Sequence, residues 1–205
     1  MAFKAMNSRT SCVLCSLMSR CTWCGNDAIY VDYHDNEWGV AEHDDQALYE
    51  KLCLDGFQAG LSWIIVLKKR DNFRAAFDNF DPEKVAKYGK RRVNLLLKDA
   101  GIIRSQSKIN GVIANAKAWL EIMEQGAGSF DAFLWKHVNY KTVVNKWKTD
   151  SQIPTSTKIS AAMAKDLKKH NFKFVGPTIC YAFMQTTGMV NDHITTCPQY
   201  KLAHG

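Results

Sequence analysis

A chain of 205 residues, 46% of them hydrophobic, is long enough for one well-filled core and needs no second domain. It has no stretch near the roughly 20 apolar residues of a membrane span, and Cys12-Val13-Leu14-Cys15, following Lys4 and Arg9, is too short and interrupted for a signal-peptide core; a cytoplasmic, nucleoid-associated location without membrane attachment is expected. With 27 Lys and Arg against 20 Asp and Glu, the formal charge of +7 suits an anionic partner such as duplex DNA, and suits an ordinary basic surface equally well.

Residues 1–20 lack a sustained period and read as a loose extension, leaving residues 21–200 as a single domain. Tyr30 to Tyr33 is compatible with a strand too short to change the fold class. From Asp44 onward apolar residues return at helical spacing, first Leu48 and Leu52, then Leu67 through Phe73 and Phe77. Asp81-Pro82 reads as an N-cap followed by proline in the first helical turn. Arg92 to Ala100 is a short helix ended by Gly101. A longer one runs from Ser107 to Glu124, with Ile109, Val112, Ile113, Ala116, Leu120 and Met123 on its apolar side and Gly126 and Gly128 stopping it. Pro154 and Thr155 open a turn before a helix carrying Ile159, Ala162, Met163 and Leu167. Gly176-Pro177 then leads into a last helix through Ile179, Phe183 and Met184. Few runs alternate with period two, so the expected fold is all-α.

Between the two central helices lies Gly101-Ile102-Ile103-Arg104-Ser105-Gln106. Such a hairpin can aim backbone N–H groups at a DNA phosphate, with Ser105 as helix cap and Arg104 or Lys108 adding charge. It can equally be an ordinary helical hairpin buried through Ile102 and Ile103. The basic clusters around Lys68 to Arg70, Lys87 to Arg92 and Lys165 to Lys173 are open to the same two readings.

Seven cysteines in a chain without export signals argue against a disulfide framework. Cys12, Cys15, Cys21 and Cys24 have the spacing of a four-thiolate zinc knuckle. A rival set takes Cys21 and His34 from one end and His193 and Cys197, on one side of a helical turn, from the other. A third reading makes most of them small buried thiols. Cys53 and Cys180 lie in apolar helical segments and belong to the core.

Tyr30, Tyr33, Trp38 and Trp63 offer stacking faces, and Asp55 and Gln58 share a helix face if their helix continues. A carboxylate accepting from a base, an amide that both donates and accepts, and π-faces suit a flipped, cationic nucleobase. Packing these aromatic residues in an ordinary core is the alternative.

Tyr33-His34-Asp35-Asn36-Glu37-Trp38-Gly39, Gln58-Ala59-Gly60-Leu61-Ser62-Trp63 and Asn191-Asp192-His193 resemble signature segments of the 3-methyladenine DNA glycosylase I family. Ala100-Gly101-Ile102-Ile103-Arg104 with Lys108-Ile109, and Phe172-Lys173-Phe174-Val175-Gly176 with Cys180-Tyr181, extend the likeness from about Arg20 to Cys197. The resemblance implies an all-α helix-hairpin-helix glycosylase fold whose N- and C-terminal regions are clamped by one structural zinc ion on Cys21, His34, His193 and Cys197. It implies Trp23 and Trp63 as walls of a base pocket, with Tyr30, Tyr33, Trp38, Asp55 and Gln58 around it. The hairpin of Gly101, Ile102, Ile103 and Arg104, with Lys108, takes the DNA-contacting role. The implied activity is hydrolytic release of free 3-methyladenine from alkylated double-stranded DNA by a monomer, without strand cleavage.

The chain departs from the family at Asp55, where a glutamate is usual. The shorter stem costs about 1.5 Å of reach, which bears on rate and base selectivity more than on reaction class. Asp55 remains the expected recognition residue, one that also favours departure of the base. A zinc-stapled protein that binds damaged DNA with weak or lost catalysis, and a glycosylase for another damaged base, are the alternatives.

Overall fold

The computed structural model describes residues 19–125 and 128–202. Cys12, Cys15, Gly126 and the extension expected over residues 1–20, apart from its last two, therefore lie outside the described residues.

Short polar caps start most of the early helices. The Asp27 side chain accepts from the Ile29 N–H and opens α1 (Ala28–Asn36). This segment includes Tyr30 to Tyr33, compatible by sequence with a strand; it is helical instead. Once capped, a helix carries Tyr30, Tyr33 and His34 on one inward face, whereas a strand would split Tyr33 from His34. Asp44 likewise accepts from Ala47 N–H and opens α2 (Asp45–Gln58), which buries Leu48, Leu52, Cys53 and Asp55. Two short helices follow, α3 (Trp63–Leu67) and α4 (Arg70–Ala76). Asp78, Asn79 and Phe80 then take left-handed backbone angles. That bend delivers Asp81, whose carboxylate accepts from Glu83 and Lys84 N–H groups at the head of α5 (Pro82–Val85), the cap and proline expected there.

The hairpin helices are α6 (Lys90–Leu96) and α7 (Gln106–Glu124). The first ends at Leu96 rather than running to Ala100. The Gly101 N–H turns to the Asp99 carboxylate at 2.7 Å, and Lys69 Nζ takes the carbonyls of Ala100 and Gly101 at 2.9 and 3.2 Å, so side chains satisfy groups a longer helix would pair. Ser105 stands at the N-cap of α7 without capping it, its hydroxyl lying 3.2 Å from that of Ser107.

α8 (Phe130–Trp135), α9 (Lys158–Lys169) and α10 (Pro177–Thr186) complete the main layers, with Pro177 in the first turn of α10 as its sequence requires. α2 lies centrally, packed against α7 on one side and α10 on another, and α9 covers α10. Each fully buried Leu or Phe along these contacts stabilises the fold by about 2 kcal/mol. The class is all-α with one addition: β1 (Val143–Val144) pairs in parallel with β2 (Val190–Asn191). Two residues per strand leave no period to read. A last turn, α11 (Gln199–Leu202), follows.

Candidate functional site

Six segments meet around a cavity of about 180 Å³. The turn after Cys21 brings Trp23, α1 brings Tyr30 and Tyr33, and the bend after α1 brings Trp38. The last turn of α2 supplies Asp55 and Gln58, the start of α3 supplies Trp63, and α10 supplies Ala182, Gln185 and Thr186. The volume is well under the roughly 300–1,000 Å³ of drug-sized pockets and suits one flat ring system. The wall is continuous: Trp23 meets Trp38 at a centroid distance of 4.9 Å and Tyr30 at 5.1 Å, and Tyr33 meets Trp63 at 5.4 Å. All seven residues grouped around a pocket from the sequence line this one cavity. Ala182, Gln185 and Thr186 were missed. Their i, i+3, i+4 spacing on the last helix was the available signal, masked by the apolar residues beside them.

Polarity in the cavity is concentrated in few atoms. Among the described residues, Asp55 Oδ2, Trp23 Nε1 and Trp63 Nε1 are buried without a hydrogen-bond partner. Leaving such groups unmatched costs about 1–3 kcal/mol each, so an acceptor and two donors stand ready for a ligand. Burial pushes the Asp55 carboxyl well above its ordinary range, with the charge of Lys51 acting weakly against it. Burial, then the proximity of Asp55, raises the Tyr33 phenol too, and its hydroxyl pairs with Thr186 Oγ1 at 3.1 Å.

The turn carrying Asp55 and Gln58 is tied down from the hairpin. Lys108 Nζ donates to the carbonyls of Phe57 and Ala59 at 2.9 and 2.7 Å, a cation on the C-terminal end of α2. The sequence sends Lys108 toward a phosphate; in the fold its ammonium serves the pocket floor, and desolvation lowers its pKa. Ile102 is buried, Gly101 and Ile103 are half-buried, and Arg104 is exposed. A Cβ on Gly101 would lie 2.9 Å from the Asp99 carboxylate and 3.2 Å from Asn72.

Behind the aromatic wall, Cys21, His34, His193 and Cys197 are all buried with their ligand atoms within 4.8 Å of one another. Tetrahedral zinc, with bonds of about 2.3 Å to sulfur and 2.0–2.1 Å to nitrogen, has S···N edges of about 3.6 Å. Here Cys197 Sγ lies 3.6 Å from both His34 Nε2 and His193 Nδ1, and Cys21 Sγ lies 3.8 Å from His193 Nδ1. The outer nitrogens are held as metal-ligating imidazoles require: His34 Nδ1 by Asp35 at 2.7 Å, and His193 Nε2 by the Trp38 carbonyl at 3.0 Å. Hydrogen bonding from Cys21, then from His193 and His34, draws the Cys197 thiol far below its ordinary range. The donor set fits a closed four-ligand metal site. Cys24 is not part of it; its thiol donates to the Cys21 carbonyl. His193 and Cys197 converge through a turn, not the helical turn expected, because the chain leaves β2 irregularly before α11.

A small helical protein with an aromatic slot, a buried carboxylate at its end and a cysteine–histidine clamp between distant parts of the chain is built to hold one heteroaromatic ring. The methyladenine glycosylase family matches residues 23–200, and the chain belongs to that family. It is 54% identical over 183 residues to the DNA-3-methyladenine glycosylase 1 of Escherichia coli (strain K12), covering 89% of this chain and 97% of that protein. It is 48% identical over 182 residues to the DNA-3-methyladenine glycosylase of Haemophilus influenzae (strain ATCC 51907 / DSM 11121 / KW20 / Rd), covering 89% and 98%. The 3-methyladenine DNA glycosylase I of Staphylococcus aureus, solved for the structural basis of its 3-methyladenine recognition, superposes with a TM-score of 0.86 at 34% identity, covering 90% of this chain and 97% of that one.

Proposed function

We propose that this protein excises 3-methyladenine from alkylated duplex DNA by hydrolysing its N-glycosidic bond, releasing the free base and leaving the strand uncut. The observation that carries the reading is the unpartnered, fully buried Asp55 oxygen in an aromatic cavity sized for one flat ring system, in a chain of this family.

Methylation at N3 makes the adenine cationic, so the base departs neutral and needs little activation. The protein must extrude the nucleotide, recognise the base and let water reach the sugar carbon as positive charge develops there. Desolvation favours the neutral form of Asp55; a cationic ring between the indole walls supplies a counter-charge that favours its ionised form. Gly101 to Arg104 engage the backbone, where the strand's own phosphates help stabilise the sugar cation. Lys108 acts in this scheme by holding the turn of Asp55 and Gln58. Cys21, His34, His193 and Cys197 would hold one zinc ion, whose contribution is structural, since four protein ligands leave no open position.

The test is release of free base from methylated duplex in a single-turnover assay. Recovery of 3-methyladenine with unbroken strands is expected. Lesion binding without base release would instead favour a damage-binding protein.

A further inference from the structure

Gln185 lines the cavity from α10, and the reaction as described leaves it without a task. Its amide nitrogen donates to Asp192 Oδ2 at 2.7 Å. Asp192 is fully buried and receives three more donors: Tyr181 OH on Oδ2 at 2.6 Å, and Asn145 Nδ2 and Trp147 Nε1 on Oδ1, both at 2.7 Å. With four groups donating to it, Asp192 acts as an acceptor throughout, so the amide of Gln185 must turn its nitrogen that way. Gln185 Oε1 accepts no hydrogen bond among the described residues. The end of the side chain left for the cavity is an acceptor.

We infer that Gln185 reads the 6-amino group of the extruded purine, and that Asp192 is the positioning residue that fixes the amide for this purpose. The inference rests on the reaction proposed above and adds a basis for its selectivity. Methylated DNA also contains 3-methylguanine, which is cationic and labile in the same way, so charge and lability do not separate the two bases. Hydrogen-bond polarity does. A 6-amino group carries two hydrogens, and two acceptors, Asp55 Oδ2 and Gln185 Oε1, line the one cavity. A 6-oxo group there would set oxygen against oxygen, leaving buried acceptors unmatched.

Gln185→Met keeps length and helix propensity and removes the acceptor. Single-turnover excision of 3-methyladenine from methylated duplex should fall about 10-fold, the scale of one hydrogen bond from a charged ring. Excision of 3-methylguanine should hold or rise, narrowing the preference by at least that factor while metal content stays at the parent's; the melting temperature should fall modestly, because Asp192 loses one of its four donors. Asp192→Asn brings donors against Gln185 Nε2, forces the amide to turn, and should shift the preference in the same direction. A purely structural role for either residue would lower both bases alike. An unchanged preference in Gln185→Met overturns the inference while leaving base release intact. Should that variant fail to fold, the unmodified protein can be titrated with free 3-methyladenine and with 3-methylhypoxanthine, its 6-oxo counterpart. Weaker binding of the oxo base supports the inference and equal binding overturns it. If the parent releases no 3-methyladenine at all, the proposed reaction itself fails, a result distinct from an unchanged preference.

Discussion

Trp38 and His193 are joined twice: the Trp38 carbonyl pairs with His193 Nε2 at 3.0 Å, and the indole meets the imidazole edge-on with centroids 4.6 Å apart. Trp38 also stacks on His34 and meets Trp23 edge-on in the cavity wall. The cysteine–histidine group thus backs the base pocket. Replacing Cys197 with Ser, or stripping the metal with a chelator, should cost about 3–5 kcal/mol, roughly 10 °C in melting temperature. Free-base binding should be lost in step. Elemental analysis should find one zinc per chain, and full folding without metal would dismiss the clamp.

Asp55 carries a pH signature. Its folded pKa lies well above the ordinary 3.8, so the folded state binds the extra proton. The resulting contribution is fully present below the unfolded pKa and declines as pH rises through the window up to the folded value. Asp55→Asn has no proton to lose. Its stability relative to the parent should therefore grow from pH about 4 upward, measured by urea unfolding of ligand-free protein. A constant difference across that range would show that Asp55 is not held protonated.

The same substitution should weaken free 3-methyladenine binding and excision about 10- to 100-fold, since the charged partner of the cation is gone. Asp55→Glu should retain activity or raise it, because the family geometry uses the longer acid. Parent-like rates in Asp55→Asn would remove the recognition role.

Arg104 and Lys108 should separate cleanly. Arg104→Ala should weaken duplex binding and reduce its salt slope by about 1, with free-base affinity and stability unchanged. Lys108→Met uncaps α2 below Asp55 and should lower stability by about 1–2 kcal/mol along with free-base affinity. Matching profiles for the two variants in melting and base titration would mean that Lys108 does not support the pocket floor.

Gly188 has φ of +68°, and a Cβ there would lie 2.5 Å from backbone atoms of Val40 and Ala41. These residues are stitched to the end of α10 through Gly39 N–H to Gln185 O and Glu42 N–H to Thr187 O. Gly188→Ala should cost about 3 kcal/mol by thermal melt. A smaller loss would show that the 40–41 segment yields readily.

Much of this was legible in the chain because local rules and tertiary needs agree. Asp81-Pro82 and Gly176-Pro177 punctuate helices where their backbone chemistry demands, and α7 shows its apolar face plainly. Other features depend on distant partners. Tyr30 to Tyr33 fold as helix because of the Asp27 cap and an inward face, which a four-residue window does not reveal. The end of α6 is set by Lys69 and Asp99, and the destination of Lys108 by carbonyls roughly fifty residues away in sequence. Gln185 and Thr186 share a helix face with Ala182, but their apolar neighbours in α10 mask that spacing and the rest of the cavity is formed by residues 23–63.

The pocket is assembled from both extremes of the chain: Cys21 meets His193 across 172 positions, and the residues facing Tyr33 and Trp63 come from α10. During synthesis the aromatic half emerges early and waits for its other half. Until α10 and His193 leave the ribosome, five aromatic side chains and an acid lack the wall that α10 supplies, and contacts of such long sequence separation form slowly. A chain terminated before Ala182 would lack one wall of the cavity and, with His193 and Cys197, half of the cysteine–histidine group. Seating a base therefore requires the α10 segment as well as residues 23–63, two stretches more than a hundred positions apart.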